Sequence, residues 1–307
     1  MGGVLPAAAA PHPARFTPAA RRRRLAPYLL VAGPVLYLLT VVVYPMAYAV
    51  ALSLQYYRVG GFAGLHNFAF AFQDSLLAAS LKATLTYIVI VVGVELAVGL
   101  ALAVAVQRTI QSVLGRTLAY LLFIVPMVTP PVAAGVSFRL MYIPEYGILN
   151  VILHNLGYHG KPILWMSSPG MAMFSVVSVD VWQWMPFVFL VLFAGLQAVP
   201  PDVIEAAEMD GAGGWARFRQ IDFPYLRPLL LLVLVFRLTD TLRVFDHIQV
   251  LTMGGPGAAT EFLSLYLYKI AFKFSNLNYA SALAIYIVLV ISIIFALFGR
   301  YLSEEVA

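Results

Sequence analysis

Six stretches of this chain, at about residues 27–54, 83–106, 117–142, 171–198, 226–251 and 279–300, run for more than twenty residues each and are dominated by apolar side chains. A helix of about 20 apolar residues crosses a bilayer core. In lipid the backbone must satisfy its own hydrogen bonds, which leaves helices and closed barrels as spanning structures. No period-two alternation runs through these stretches, so they predict an all-α polytopic membrane protein with six transmembrane helices. Gly33-Pro34, Pro45, Pro126, Pro130-Pro131 and Pro186 are predicted bends rather than ends. Composition excludes the other classes. With 62% hydrophobic and 11% charged residues, against roughly 45–50% and about 25% in soluble domains, a water-soluble enzyme would expose most of its apolar excess. With no cysteine in 307 residues, disulfides and thiolate metal sites are absent too.

Residues 1–24 are rich in Ala and Pro and end in Arg21-Arg22-Arg23-Arg24. They are expected to be a disordered, basic cytoplasmic tail. The apolar run that follows is longer than a signal peptide's h-region, so it reads as an uncleaved first span. Basic residues set the orientation. With the N-terminus inside, Arg15, Arg21 to Arg24, Arg108, Arg116, Arg217, Arg219, Arg227 and Arg300 fall inside, and Arg58, Lys82, Lys161, Lys269 and Lys273 outside. This follows the positive-inside rule and puts both termini in the cytoplasm. It also accounts for the +5 net charge without nucleic acid. The outer segment 252–278 contains an amphipathic, aromatic stretch at 259–275, predicted as a helix at the membrane surface, with a seventh span as the alternative.

The longest cytoplasmic loop is 199–225. Pro201 suits a first helical turn and Asp202 complements the helix dipole there. Glu205-Ala206-Ala207 continue the helix, and Asp210-Gly211 with Gly213 and Gly214 break it. Trp215, Phe218 and Ile221 recur every three residues, so a second short helix carries an apolar ridge, and Pro224 is expected to stop it. A thin-surfaced helix followed by an aromatic ridge has the form of a helix-in-groove contact. A loop packed on its own bundle is the alternative.

The spacing Glu205-Ala206-Ala207, three residues, Gly211, nine residues, Ile221, one residue, Phe223-Pro224 resembles the EAA motif of ABC importer permeases, with Phe223 where leucine is usual. Ala194-Gly195-Leu196-Gln197, Asp210-Gly211-Ala212, Phe245-Asp246, Leu251-Thr252-x-Gly254-Gly255-Pro256 and Tyr279-Ala280-Ser281-Ala282-Leu283 are similar to the sugar (maltose and glycerol-phosphate) branch. The resemblance implies a type I importer permease in a bacterial cytoplasmic (inner) membrane. Such a chain forms half of a pore with a second permease, by the habit of the branch a different one. Two cytoplasmic ATPase subunits carry ATP and Mg, and an external solute-binding protein delivers a sugar or related polyol. On this resemblance Glu205, Ala206, Ala207, Asp210 and Gly211 shape the helix that docks in the ATPase, and Trp215, Arg217, Phe218, Ile221 and Pro224 complete the loop. Arg217 and Arg219 could meet acidic groups of the ATPase or membrane lipid phosphates. The chain lacks a phosphate-binding loop: its single Gly-Lys, Gly160-Lys161, is followed by proline. It is therefore read as a non-catalytic subunit that binds no cofactor of its own.

Charges within spans cost roughly 2.5–3.5 kcal/mol each even on a lenient scale, so they have partners or a path to line. Arg237, Asp240, Arg243 and Asp246 alternate in sign at a spacing of three, which predicts a self-neutralising ladder along one helix, with Asp240 and Arg243 paired. Part of it could line the solute path, or it could hold helices in register. In the fourth stretch, Asp180 and Gln183 supply polar groups and Trp182 or Trp184 an aromatic platform for a sugar, unless the tryptophans are interfacial anchors. Glu95 is expected to bond to a neighbouring helix, His247 to be a hydrogen-bonded structural residue, and Arg139 to snorkel outward. Neither a zinc motif nor a nucleophile elbow occurs, and His154 and His159 lack a third ligand, so no metal or catalytic site is expected. An ion-coupled secondary transporter using the charges of the fifth stretch and a non-transporting scaffold are the other classes open to the sequence.

Overall fold

A computed structural model describes residue 28 and residues 31–110 and 112–306, with side chains up to 299. The tail expected at 1–24 lies outside the described residues. The described residues are helical, with one isolated antiparallel bridge between Gln55 and Phe62. Helix α1 (Val31–Ser53) accounts for most of the described part of a first compact unit that ends at Ala51. The second unit starts at Leu52. It contains α2 (His66–Ala71), α3 (Ser75–Thr109), α4 (Val113–Val128), α5 (Pro131–Met141), α6 (Ile148–Asn155), α7 (Pro169–Gln197), α8 (Pro201–Met209), α9 (Gly214–Arg217), α10 (Phe223–Thr241), α11 (Asp246–Leu251), α12 (Leu263–Tyr268) and α13 (Leu277–Val306).

Helices α1, α3, α7 and the Leu277–Gly299 part of α13 are long and apolar enough to cross a membrane, and the bent pair α4 and α5 makes a fifth if counted as one span. At 35 residues and about 1.5 Å per residue, α3 is about 50 Å long, well beyond the hydrocarbon core of about 30 Å. It starts at Asp74, whose carboxylate accepts the N–H groups of Leu76 and Leu77 at 3.0 and 3.1 Å. That cap satisfies two of the donors a helix start leaves open. α3 and α7 pack side by side. At Gly99 a Cβ would lie 2.7 Å from Val188 Cγ1, so only glycine permits this approach. One cluster on this pair joins Tyr87, Val91, Val176 and Val179 to Ile248 and Phe262. A second joins Ala103, Val188, Phe189, Leu192 and Phe193 to Leu226 and Val233.

Three stretches differ from expectation. Residues 117–142 are two helices meeting at 92°. Thr129 and Pro130, with ψ of 125° and 134°, are both pushed out of helical geometry because each precedes a proline. Residues 226–251 are not one helix either: α10 ends at Thr241, and Phe245, at φ −141°, precedes the separate α11. Pro224 does not stop the second loop helix. A wide five-residue turn, Phe218–Asp222, joins α9 to α10, with Phe223 N–H bonded to the Phe218 carbonyl. Pro224 sits in the first turn of α10, where its missing N–H costs little. The helical part of 259–275 is Leu263–Tyr268 extended through Lys269–Lys273. It is too short to cross a bilayer, and it buries Leu263, Leu265 and Tyr266 against the chain.

Candidate functional site: the hook at 199–225 and the buried arginine

The loop 199–225 folds from local rules. Pro201 opens α8 and Asp202 lies in its first turn. Its end is set by Gly211 at φ 74°, a left-handed conformation that costs other residues about 1–2 kcal/mol. That glycine lets Ala212 N–H reach the Ala207 carbonyl at 2.9 Å and Gly211 N–H reach Glu208 at 3.1 Å. Together these are the paired bonds of a Schellman turn. The spacing from Ala207 to Gly211 is thus the geometry of this turn. Glu205 and Ala206 are exposed, Ala207 half-buried and Asp210 exposed. Met209 and Trp215 are 88% and 73% exposed. Trp215 stacks obliquely on Phe218 at 5.5 Å, and Phe218 on Phe223 at 6.1 Å, while Ile221 is half-buried.

Asp222, which no motif singles out, holds the hook in shape. It is 3% exposed, and its Oδ2 accepts from Arg108 Nη2 at 3.1 Å. The same nitrogen donates to the Gly214 carbonyl at 2.9 Å. Arg217 lies 3.6 Å from Asp222 and 3.7 Å from Glu208, so it is engaged inside the hook, whereas Arg219 is exposed.

The expected ladder is present over two rungs, Arg237 to Asp240 at 2.7 Å and Asp240 to Arg243 at 4.0 Å, and it is one arm of a larger cluster. Arg237 is the hub. Its Nε and Nη2 donate to the two oxygens of Glu95 at 2.6 and 2.8 Å, Nη2 also to Asp180 at 2.7 Å, and Nη1 to Asp240 at 2.7 Å. Trp184 lies against the guanidinium, 5.2 Å from ring centre to Cζ. Three carboxylates on three helices therefore share one cation, and their attraction offsets the cost of taking each from water. Glu95 bonds to a neighbouring helix, as expected. Asp240 and Arg243 are 4.0 Å apart, so Asp240's main partner is Arg237 rather than Arg243. Asp246 is beyond the break, on α11, and exposed.

The polar groups of the fourth stretch split between inside and outside. Asp180 and Gln183 are 2% and 1% exposed. Gln183 Nε2 donates to the Thr129 carbonyl at 2.8 Å, which occupies a backbone acceptor freed by the proline break. Trp182 is half-exposed and meets Phe138 edge-on at 5.3 Å. Asp240 is the carboxylate of the cluster with an open face, its side chain 32% exposed beside the 66% exposed Arg243. Such a pair can accept from and donate to neutral hydroxyl groups. His247 is buried, but its Nε2 has no hydrogen-bond partner among the described residues, contrary to expectation. Arg139 donates to the Val250 carbonyl at 3.0 Å, closing the end of α11. The rings of His154 and His159 lie 5.0 Å apart, and no cluster of three or more metal-ligating side chains occurs among the described residues.

Comparison with known proteins places this architecture. The chain is 40% identical over 197 residues to the trehalose/maltose transport system permease protein MalF of Thermococcus litoralis, covering 62% of this chain and 65% of that one. It is 34% identical over 286 residues to the trehalose transport system permease protein SugA of Mycobacterium tuberculosis, covering 90% and 89%. Its fold superposes with a TM-score of 0.81, at 20% identity and over 92% of this chain and 97% of the other, on a chain in the crystal structure of a bacterial ABC transporter involved in the import of the acidic polysaccharide alginate. Residues 96–307 match the family model described as binding-protein-dependent transport system inner membrane component. The chain belongs to that family, as a multi-pass inner-membrane permease subunit of a binding-protein-dependent importer.

Proposed function

We propose that the chain forms half of the translocation pathway of an ATP-driven importer for a sugar or related polyol, and that the hook at 199–225 couples it to the motor. The observation that carries this reading is the hook itself. A small-residue helix with exposed Glu205, Ala206 and Met209 ends in a Gly211 turn, and the second helix, with exposed Trp215, runs through the wide turn into α10. A groove on an ATPase subunit suits this shape, and a hydrolytic site on this chain does not. In this reading ATP and Mg belong to two separate cytoplasmic ATPase subunits, the second permease is a different chain, and an external binding protein delivers the solute. Six crossings, with α4–α5 and α10 counted as spans, put both termini in the cytoplasm. The bond from Arg108 at the end of α3 to the hook supports this count, because it puts both on one face.

Sugar as the solute class rests on the named substrates of the relatives, trehalose and maltose, and on chemistry. Asp240 and Arg243 offer an acceptor and a donor to hydroxyl groups, and Asp180 and Trp184 support them through Arg237. Trp182 and Gln183 of the same helix remain candidates for an aromatic face and a polar group on the path. The family match disfavours an ion-coupled transporter or a passive scaffold.

The test uses the absence of native cysteine. Ala206→Cys in the assembled complex is expected to crosslink to an ATPase subunit, and solute-loaded binding protein to stimulate ATP hydrolysis. The binding protein, screened against a panel of sugars, polyols, amino acids and ions, is expected to select a sugar or polyol. Crosslinks confined to this chain, or uptake without an ATPase, would refute the coupling role. Selection of an amino acid or ion would refute the solute class.

A further inference from the structure

The hook is joined to the bundle by more than its own chain. It is covalently continuous with α7 and α10, but Arg108 also ties it to α3, which is distant in sequence. Asp222 is almost fully buried at that joint and Arg108 is half-buried, with 34% of its side chain exposed. An ion pair in this setting is screened less than a surface pair. The second Arg108 contact, to the Gly214 carbonyl, fixes the start of α9 as well. Thirteen residues earlier on the same helix stands Glu95, bound through two hydrogen bonds to Arg237 of α10. At about 1.5 Å per residue the two contacts are about 20 Å apart along α3. No proline interrupts that length, and Gly99 holds it directly on α7 between them. Arg237 also reaches Asp180 of α7. The three helices are thus braced together by Arg237 within the bundle, and α3 is braced a second time, to the hook, by Arg108–Asp222.

We infer that α3, α7, α10 and the hook move as one rigid body during transport, with Arg108 as the positioning residue that recruits α3 to the movement of the hook. This rests on the hook being the coupling element and adds the route by which its displacement reaches the solute path. With the brace, a displacement of the hook carries α3 along and shifts Glu95, Arg237 and Asp240 together. Without it, α7 and α10 are pulled while α3 lags, and the cluster is sheared instead of moved. Coupling then fails although the hook still engages the motor.

The experiment is performed on the complete complex in proteoliposomes, with solute uptake and binding-protein-stimulated ATP hydrolysis measured on the same vesicles. Arg108→Ala is expected to lower uptake by about tenfold, a coupling of ordinary size, while hydrolysis stays within about twofold of the unaltered complex. Arg108→Lys, which keeps the charge, is expected to lose less. In Arg108→Cys/Asp222→Cys, uncoupled in the same way, joining the two thiols with a short bis-maleimide is expected to restore uptake, because any link that makes α3 follow the hook suffices. Should Arg108→Ala fail to assemble, Asp222→Asn, which preserves shape, reads the same joint. Uptake unaffected by Arg108→Ala, hydrolysis falling in step with uptake, or a thiol bridge that forms without restoring uptake would each overturn the inference. Failure of the underlying reading registers separately, as absence of a crosslink from Ala206→Cys to the ATPase.

Discussion

Arg237 and Glu95, 142 residues apart in sequence, face each other through two parallel hydrogen bonds with neither side chain exposed. Such a pair owes its value to being complete. Removing one partner from a buried pair costs about 3–5 kcal/mol, because the charge left behind has nothing to meet, whereas replacing the whole set by apolar groups is often neutral. Arg237→Met is therefore expected to lower the thermal stability and membrane yield of the permease sharply. Adding Glu95→Leu and Asp180→Leu is expected to recover much of the loss. Thermal denaturation of the detergent-solubilised complex reads both. A triple variant less stable than Arg237→Met would rule out the accounting.

Gly211 supplies a backbone conformation rather than a contact. At φ 74° a Cβ there would touch nothing within 4 Å, so a substitution is strained but not blocked. Asparagine tolerates this region better than alanine, and β-branched residues tolerate it worst. Uptake is expected to fall in the order Gly211→Asn, Gly211→Ala, Gly211→Val, with membrane insertion unchanged in all three. Gly211→Asp, which adds a charge to the docking face, is expected to abolish uptake at normal insertion. Equal uptake across the series would show that the turn has no part in coupling.

Asp74 caps α3 and also accepts hydrogen bonds from the hydroxyls of Tyr266 on α12 and Tyr279 on α13. Burial works to raise its carboxyl, but the tyrosine hydroxyls and the Leu77 and Leu76 N–H groups outweigh it and hold the group below the usual carboxylate value. A carboxyl depressed in the folded state stabilises fully above its unfolded value of about 3.9. That contribution is lost as pH falls through the folded value. Asp74→Asn is thus expected to reduce thermal stability at neutral pH, with the gap from the native chain closing as pH drops below about 4. A gap independent of pH would show that the ionised carboxylate is not what holds the three helices.

The parts of this fold legible in the sequence are those set by neighbours. Apolar runs announced α3 and α7, and the interval from Ala207 to Gly211 announced a turn that needs residues only a few positions apart. In the fifth stretch a spacing of three finds the partners on the same helix, Arg237 with Asp240 and Asp240 with Arg243. It cannot find Glu95 and Asp180, which Arg237 also binds from 142 and 57 residues away, nor the end of the helix at Thr241. Asp222 gave no signal at all. It occupies the one position between Ile221 and Phe223 to which the motif assigns no residue, and its importance comes from Arg108, which sequence alone could place only on the same side of the membrane. The prolines at 130 and 131 mark a bend in the sequence, but not that Gln183, 54 residues on, donates to the Thr129 carbonyl there.

The unbroken helical path from Gly214 through the wide turn to Thr241 has a consequence for how this chain tolerates changes in length. One residue inserted anywhere between Phe223 and Leu234 would rotate everything after it by about 100° and advance it by about 1.5 Å. The guanidinium would then swing away from two acids whose own positions had not changed. Insertions and deletions are therefore forbidden over a segment that looks, by composition, like featureless greasy helix.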